Sequence, residues 1–382
     1  MNILHIASFY YPATYWGGPI FTLYALNNEL AKIPGVTVKV LTTDTAGPKL
    51  SQRLDSSKLT GFYTNQDVLI TRRIAGASIS LEMLWKLPSL VGWADVVHLT
   101  AIYSFPTIPT LLICRLLRKP VVWSPHGAIQ DAYEWSGSRK RLLKRIWELL
   151  CNMLIPYGMV ITHVTSERER NPTQARIPKA KAVVVSNGVH IPDNPAKKSW
   201  LPEGRLRLMY LGRLDSKKGI ENLLHTMALL NDPTVVLSIY GTGDDIYAAN
   251  LYNLADKLGI LGKTVFFLGH VDGEKKREAF YQSDVCIVPS HTECFCMVIA
   301  EALAHGLPVI ASHGTPWAEI EKKQCGLWVN NSPDSLAQAI TQIRTMALQE
   351  MGARGRDWMA HEFSWTPLAN EMMRIYRSLL AH

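Results

Sequence analysis

Two glutamates stand eight residues apart in E-C-F-C-M-V-I-A-E, residues 293–301, around a run that is otherwise apolar. A carboxylate offers two acceptor oxygens that match a vicinal diol, and the first backbone N–H groups of a helix attract phosphate. A helix starting inside this run would let Glu293 and Glu301 accept hydroxyl protons while the N–H groups near Cys296, Met297 and Val298 hold a phosphate. Taken alone, the pair would equally describe a buried helix with one acid solvated at each end. A second group lies in Y-L-G-R-L-D-S-K-K-G-I, residues 210–220, where Arg213 and Lys218 follow a β-rich run and precede a helical one. Arginine can bond two oxygens at once and lysine adds a compact charge, which suits a diphosphate, although a solvated turn could carry the same residues. Gly17 and Gly18, in Y-W-G-G-P-I, also open a helix, where glycine lets backbone N–H groups come close to a phosphate; a plain turn is the alternative. His126, in S-P-H-G, ends a strand-like run and either faces a ligand or is a satisfied core histidine.

These residues need elements to hold them at one place, and the apolar pattern supplies them. Short β-rich runs at residues 3–9, 36–42, 68–71, 96–100, 121–124, 160–164 and 182–185 alternate with helix-length segments. Residues 191–204, I-P-D-N-P-A-K-K-S-W-L-P-E-G, read as a linker. The alternation then resumes at residues 206–212, 235–240, 265–268, 285–288 and 309–311. This is an α/β chain of two tandem Rossmann-like domains, residues 1–190 and 205–362, each with a parallel doubly wound sheet, followed by a segment at 363–382. Ligands of such sheets bind beyond the carboxyl ends of the strands, so the expected site is a cleft between the two domains. Each candidate motif follows a strand: Gly17 and Gly18 the first, His126 the fifth, Arg213 and Lys218 the first of the second domain, and Glu293 the fourth.

Composition narrows the class. The chain has 382 residues, 47% hydrophobic and 19% charged, enough for two ordinary cores. It has no apolar run of about 18 residues, and its start lacks a basic leader and small-residue cleavage site, which predicts a cytoplasmic protein. The six cysteines include a C-x-C at Cys294 and Cys296 but no C-x-x-C, and no metal site is expected. Charge is uneven. Residues 1–190 hold 21 Lys and Arg against 11 Asp and Glu, whereas residues 191–382 hold 19 against 21, which together give the net +8. The densest basic stretch, S-R-K-R-L-L-K-R-I-W-E-L-L at 138–150, contains Arg139, Lys140, Arg141, Lys144 and Arg145 beside Ile146, Trp147, Leu149 and Leu150. A basic amphipathic helix of this kind suits an anionic membrane surface, or it is a solvated helix packed on its sheet. No nucleic-acid recognition motif accompanies the charge.

The motifs together resemble a known family. G-G-P after the first strand, S-P-H-G at 124–127, S-N-G-V at 186–189, G-R-L-x4-K-G at 212–219, G-T-G at 241–243, L-G-H-V at 268–271 and E-x7-E occur in the order found in the GT-B retaining glycosyltransferases of family 4. H-G-T-P-W-A-E-I-E, residues 313–321, resembles the variant in bacterial lipopolysaccharide and exopolysaccharide transferases. The resemblance implies transfer of a sugar from a nucleotide-diphosphate donor to an acceptor hydroxyl with retention, in lipopolysaccharide, O-antigen or exopolysaccharide assembly. Glu293 would hold donor-sugar hydroxyls and Glu301 the ribose, while Arg213 and Lys218 would neutralise the diphosphate with N–H groups near Gly18 and from Cys296 to Val298. His126 would meet the donor sugar from the first domain, Val271 would contact the base through its backbone, and Phe295 would be among the donor-binding residues. A UDP-sugar is expected ahead of a GDP-sugar, with no metal or further cofactor, and the acceptor would be lipid-linked or an oligosaccharide at the inner face of the plasma membrane. The last helix would cross back onto the first domain. One departure stands out: the family usually has E-G-F-G where this chain has Glu293-Cys294-Phe295-Cys296. Two other readings share the architecture, a nucleotide-sugar 2-epimerase and a non-catalytic nucleotide-sugar-binding subunit.

Overall fold

A computed structural model of the chain describes every residue except Thr60, Thr64, residues 130–137, Tyr157, residues 194–198 and His382, and leaves aside the side chains of Ser56, Lys58, Ser138, Arg139, Lys140 and Pro202. Part of the expected linker and the side chains of Arg139 and Lys140 thus lie outside the described residues. The chain forms two units, one of Met1–Gly188 with Trp365–His382 and the other of Val189–Ser364.

The first unit carries β1 (Asn2–Ile6), α1 (Gly18–Ala31), β2 (Thr37–Thr43), β3 (Asp67–Thr71), α2 (Leu81–Trp93), β4 (Val96–Thr100), α3 (Thr107–Leu116), β5 (Val121–Ser124), α4 (Ser138–Leu154), β6 (Val160–Val164), α5 (Glu167–Arg176) and β7 (Lys181–Val184). Among the described residues its strands form a seven-stranded parallel sheet in the order β3-β2-β1-β4-β5-β6-β7. The central strands β4 and β5 are buried at every position. Burial on both faces explains why they read as continuous apolar runs rather than as an alternation.

The second unit carries β8 (Leu206–Leu211), α6 (Ile220–Leu230), β9 (Val235–Tyr240), α7 (Asp245–Lys257), β10 (Val265–Gly269), α8 (Gly273–Gln282), β11 (Val285–Val288), α9 (Met297–Ala304), β12 (Val309–Ser312), α10 (Glu319–Lys322), β13 (Gly326–Val329), α11 (Pro333–Ile343) and α12 (Leu348–Glu362). Its sheet runs β10-β9-β8-β11-β12-β13. The sequence pattern misses β13, which is only four residues long and begins with a glycine. That glycine is needed, because a Cβ on Gly326 would stand 2.2 Å from the Val309 carbonyl of the neighbouring strand.

The chain's last helix, α13 (Trp365–Leu380), belongs to the first unit. Its buried residues Ala369, Met372, Met373, Tyr376 and Leu379 recur at helical spacing and join a core with Ile3, Val40, Val96 and Val122. Tyr376 also bonds His98 of β4, OH to Nδ1, at 2.7 Å, and Gly188 leaves room for the Trp365 ring, which a Cβ there would meet at 2.4 Å.

In both sheets the strand order reverses at the first strand of the unit, between β1 and β4 and between β8 and β11. Such a reversal leaves a crevice at the carboxyl ends where two loops part, the usual ligand position in open α/β sheets. Backbone crowding around β8 is severe. Gly241, just past β9, has φ +143, and a Cβ there would lie 1.8 Å from the Gly212 carbonyl. Gly241→Ala should destabilise the protein by about 3 kcal/mol through overpacking and strain. Gly92→Ala, in α2 with open space around it, should be neutral or stabilise by roughly 0.5 kcal/mol. Urea unfolding of the two variants measures the difference.

Candidate functional site

The loop after β8 and the loop after β11 are joined side chain to side chain in the second unit. Lys218 Nζ stands 2.5 Å from Glu293 Oε1, with the two side chains 19% and 12% exposed. Local structure fixes both. Asp215 accepts from the Lys217 N–H at 3.1 Å and so caps the short 3-10 turn Ser216–Lys218. Gly219 then turns the chain with φ +64, at a point where a Cβ would stand 2.2 Å from the Pro289 carbonyl. On the other side the Ser290 hydroxyl donates to Glu293 Oε1 at 2.8 Å, and the Glu293 N–H donates to the Gly314 carbonyl at 2.9 Å. The His291 N–H donates to the Lys217 carbonyl at 2.8 Å, tying the loops together again through the backbone.

Burial alone would push the Glu293 carboxyl up, but the Lys218 charge and hydrogen bond, with the Ser290 hydroxyl, hold it below the usual carboxylate range. Burial likewise works against the Lys218 ammonium, and Glu293 more than offsets it, holding Lys218 above its ordinary value. The pair is therefore ionised across the neutral range. Arg213, on the same loop, is 60% exposed with Nε 3.6 Å from Asp215 Oδ2.

Glu293 lies in the loop and Glu301 in the second turn of α9, as expected from the sequence. Glu301 is paired too: Lys276 Nζ, from the first turn of α8, lies 2.6 Å from its Oε1. Lys276 escapes sequence reading because K-K-R-E resembles any solvated helix face; its one signal is its position just past the carboxyl end of β10. Cys296 precedes α9 with φ 71 and ψ 77 and makes no side-chain cap, so the first N–H groups of the helix, including those of Met297 and Val298, have no partner within it. Burial and the nearby Glu293 carboxylate raise the Cys296 thiol well above its ordinary value, which keeps it protonated. Phe295, expected along a ligand, turns its ring into the core against Trp317 at 5.1 Å, leaving only its backbone for contact. Val271, two residues past β10, is half-buried against that core.

The first unit holds the other expected residues. Gly17, with φ 78, is the residue before α1, and Gly18 is the first residue in it. His126 follows β5 with φ 49 and is neutral, because burial and the neighbouring imidazoles of His163 and His5 bring its pKa down to about 3. Its Nε2 is buried without a hydrogen-bond partner among the described residues, and it borders a small cavity with His98, Ser124, His163 and Asn187. The strands behind it carry a network the sequence reading passed over. Ser124 Oγ lies 2.7 Å from His98 Nε2 and 2.8 Å from His163 Nδ1, while His5 lies 2.6 Å from Thr100 and 2.9 Å from Asn27. A histidine inside each of three apolar strands, at residues 5, 98 and 163, was the available signal.

Residues 16–191 match the model for Glycosyltransferase Family 4, and residues 193–358 match that for Glycosyl transferases group 1. The chain is 30% identical over 238 residues to an uncharacterised glycosyltransferase of Methanocaldococcus jannaschii, a match spanning 57% of this chain and 59% of that protein. It is 23% identical to the O-antigen biosynthesis glycosyltransferase WclY of Escherichia coli, over 75% of this chain and 79% of WclY. The fold matches that of Anabaena HepE, solved in complex with UDP and glucose, with a TM-score of 0.73 at 18% identity and coverage of 99% and 100%.

The ion pair makes a prediction independent of any ligand. Glu293→Gln or Lys218→Met should each cost about 3 kcal/mol by leaving a charge without its partner, and the double variant should cost less than their sum. The sign with pH follows from the shifts. The Glu293 contribution is complete above the ordinary carboxylate range and lost as pH falls through its lowered value, whereas that of Lys218 is lost as pH rises through its raised value. Melting temperatures at pH 3, 7 and 11 should therefore drop at both extremes more in the wild type than in the double variant.

Proposed function

The chain belongs to family 4 of the glycosyltransferases, with the GT-B fold, and on that premise we infer that it transfers a sugar from a nucleotide-diphosphate donor to an acceptor hydroxyl with retention of the anomeric configuration. The observation that carries this reading is the Lys218–Glu293 pair at the reversal between β8 and β11. Lys218 has three N–H donors and gives one to Glu293, so others remain for a departing diphosphate. The helix start at α9 adds N–H groups for the same charge, and exposed Arg213 adds a fork for two oxygens. Glu293, held ionised, accepts protons from sugar hydroxyls, and Glu301 does so from ribose, each beside a lysine that fixes its position. Neutral His126, with a free ring nitrogen, suits a sugar hydroxyl rather than a phosphate.

The donor is a UDP-sugar in preference to a GDP-sugar, a reading supported by the UDP bound in the Anabaena neighbour, and Lys218 with Arg213 neutralises the diphosphate without a metal. The likeness to WclY supports a place in O-antigen or related polysaccharide assembly, with a lipid-linked or oligosaccharide acceptor. Replacing Lys218 or Arg213 by Ala should lower turnover about 100 to 1000-fold. Glu301→Ala should weaken UDP binding, whereas Glu293→Ala should spare it and abolish transfer. The test is calorimetry with UDP together with assay of UDP-hexoses against lipid-linked acceptor extract, with EDTA present and the product anomer read by NMR. An inverted product, or activity that EDTA removes and magnesium restores, would overturn the mechanism.

The reading also places the protein at the inner face of a membrane. Among the described residues no helix is long and apolar enough to cross one. In α4, Arg141 and Arg145 are exposed, along with Leu142, Leu143, Ile146 and Leu149 at 47–66% exposure. Trp147, expected in that apolar patch, instead turns inward, its indole N–H donating to the Ile102 carbonyl at 2.7 Å. Glu148 is buried against Arg176, 2.6 Å away. The helix is thus pinned by one face, leaving cations and leucines on the other, and each cation near an anionic surface is worth about 1 kcal/mol. Changing Arg139, Lys140, Arg141, Lys144 and Arg145 to Gln should abolish sedimentation with phosphatidylglycerol vesicles at low salt and leave UDP binding intact. Failure of the wild type to sediment would point to a soluble acceptor.

A further inference from the structure

The loop after β1 and the start of α1 carry Phe9, Tyr10, Tyr11, Tyr15, Trp16 and Phe21, rings that the donor site does not use. Tyr11 is their hub. Its ring stacks on Tyr24 at 4.8 Å and on Phe62 at 5.6 Å, and meets Phe21, tilted, at 5.5 Å. Beside it on the same loop Trp16 stacks on Phe9 at 4.5 Å and takes the edge of Tyr15 at 5.3 Å. The base is fixed from below, since the Tyr63 hydroxyl donates to the Tyr11 carbonyl at 2.6 Å.

These rings are not a core. Tyr15, Phe21 and Phe62 are 60%, 44% and 39% exposed. Exposed rings grouped at the carboxyl end of a central strand mark a binding surface rather than chance exposure. The surroundings define what it would bind. Residues 1–28 contain no Asp, Glu, Lys or Arg, so the loop itself offers a ligand on these rings no ion pair. Of the three exposed rings Tyr15 carries a hydroxyl and Phe21 and Phe62 do not, so the surface is apolar on its faces with a polar edge at Tyr15. A lipid chain would be better served by aliphatic residues such as the leucines of α4. A pyranose has the complementary form, with a C–H face that stacks on a ring and hydroxyls around its edge.

We propose that the rings of Tyr15, Phe21 and Phe62, backed by Tyr11 and Trp16, form a platform that stacks on a neutral pyranose ring of the acceptor. The proposal rests on the transferase reading only in assigning that sugar to the acceptor. Its test is saturation-transfer NMR on the full chain with maltose, lactose and cellobiose as probes, and separately with UDP. The wild type should saturate the C–H protons of one pyranose face, and Tyr15→Ala, Phe21→Ala and Phe62→Ala should each weaken the signal at least about fivefold while UDP affinity stays within twofold. Tyr15→Phe and Phe62→Tyr should retain the signal, which separates loss of a ring from loss of fold. Three results overturn the platform: no saturation of any disaccharide by the wild type, undiminished signal in the three Ala variants, or UDP affinity falling in parallel. A platform that responds as expected in a protein that never binds UDP would uphold it and sink the transferase reading instead.

Discussion

A lysine and a glutamate, 75 residues apart in sequence, hold the second unit's site together. Bringing two charges out of water is costly, and a buried pair is worthwhile only where its geometry and further hydrogen bonds compensate. Here they do. Glu293 Oε1 accepts from both Lys218 and Ser290, and the backbone beneath is locked by contacts that only glycine permits: Gly219 against the Pro289 carbonyl and Gly314 against the Ser290 carbonyl, where a Cβ would stand 2.1 Å away. The loops after β8, β11 and β12 are thereby tied to one another around the ionised pair.

The first unit reaches rigidity by the opposite electrical route. Its polar residues at the strand ends are imidazoles, and burial lowers the pKa of His5, His98, His126 and His163 alike. Neutral rings can each donate and accept, so hydrogen bonds run from Asn27 through His5 to Thr100, and from Tyr376 through His98, Ser124 and His163 to the Val185 carbonyl. Glu169 adds support beneath His126: its carboxylate accepts from the Gly127 N–H and from the Thr165 N–H and hydroxyl. The neutral imidazoles offer direction without charge, and the aromatic loop after β1, with no charged side chain of its own, continues the same character.

The fold was legible because both sheets are parallel and buried, so strands announce themselves as apolar runs of residues such as Val96, Val97 and Leu99. The failures have physical causes. The strand at Gly326 is short and starts with the residue least typical of strands, its identity set by a close approach no single sequence displays. Glu293, Lys218 and Glu301 stood out because loops at strand ends rarely combine such charges with glycine. Their partners did not: Lys276 and Ser290 are ordinary surface types whose meaning comes from distance. Trp147 shows the limit of helical pattern reading, since an amphipathic helix rich in leucine and arginine does not reveal which apolar side chain turns inward. The family resemblance anticipated order and placement, but left open Cys296, a side chain at a positive φ that glycine would adopt freely.

The last helix also sets an order of events. Because α13 supplies Ala369, Met372, Met373 and Tyr376 to the core beneath β1 and β4, the first unit is incomplete until α13 has been made. During synthesis the intervening unit emerges whole and can fold first, while the first unit's sheet waits with one face covered by α1 but not yet by α13, and His98 without its tyrosine. A chain broken off early by a nonsense codon or a protease would therefore fail in its oldest part, the half made first.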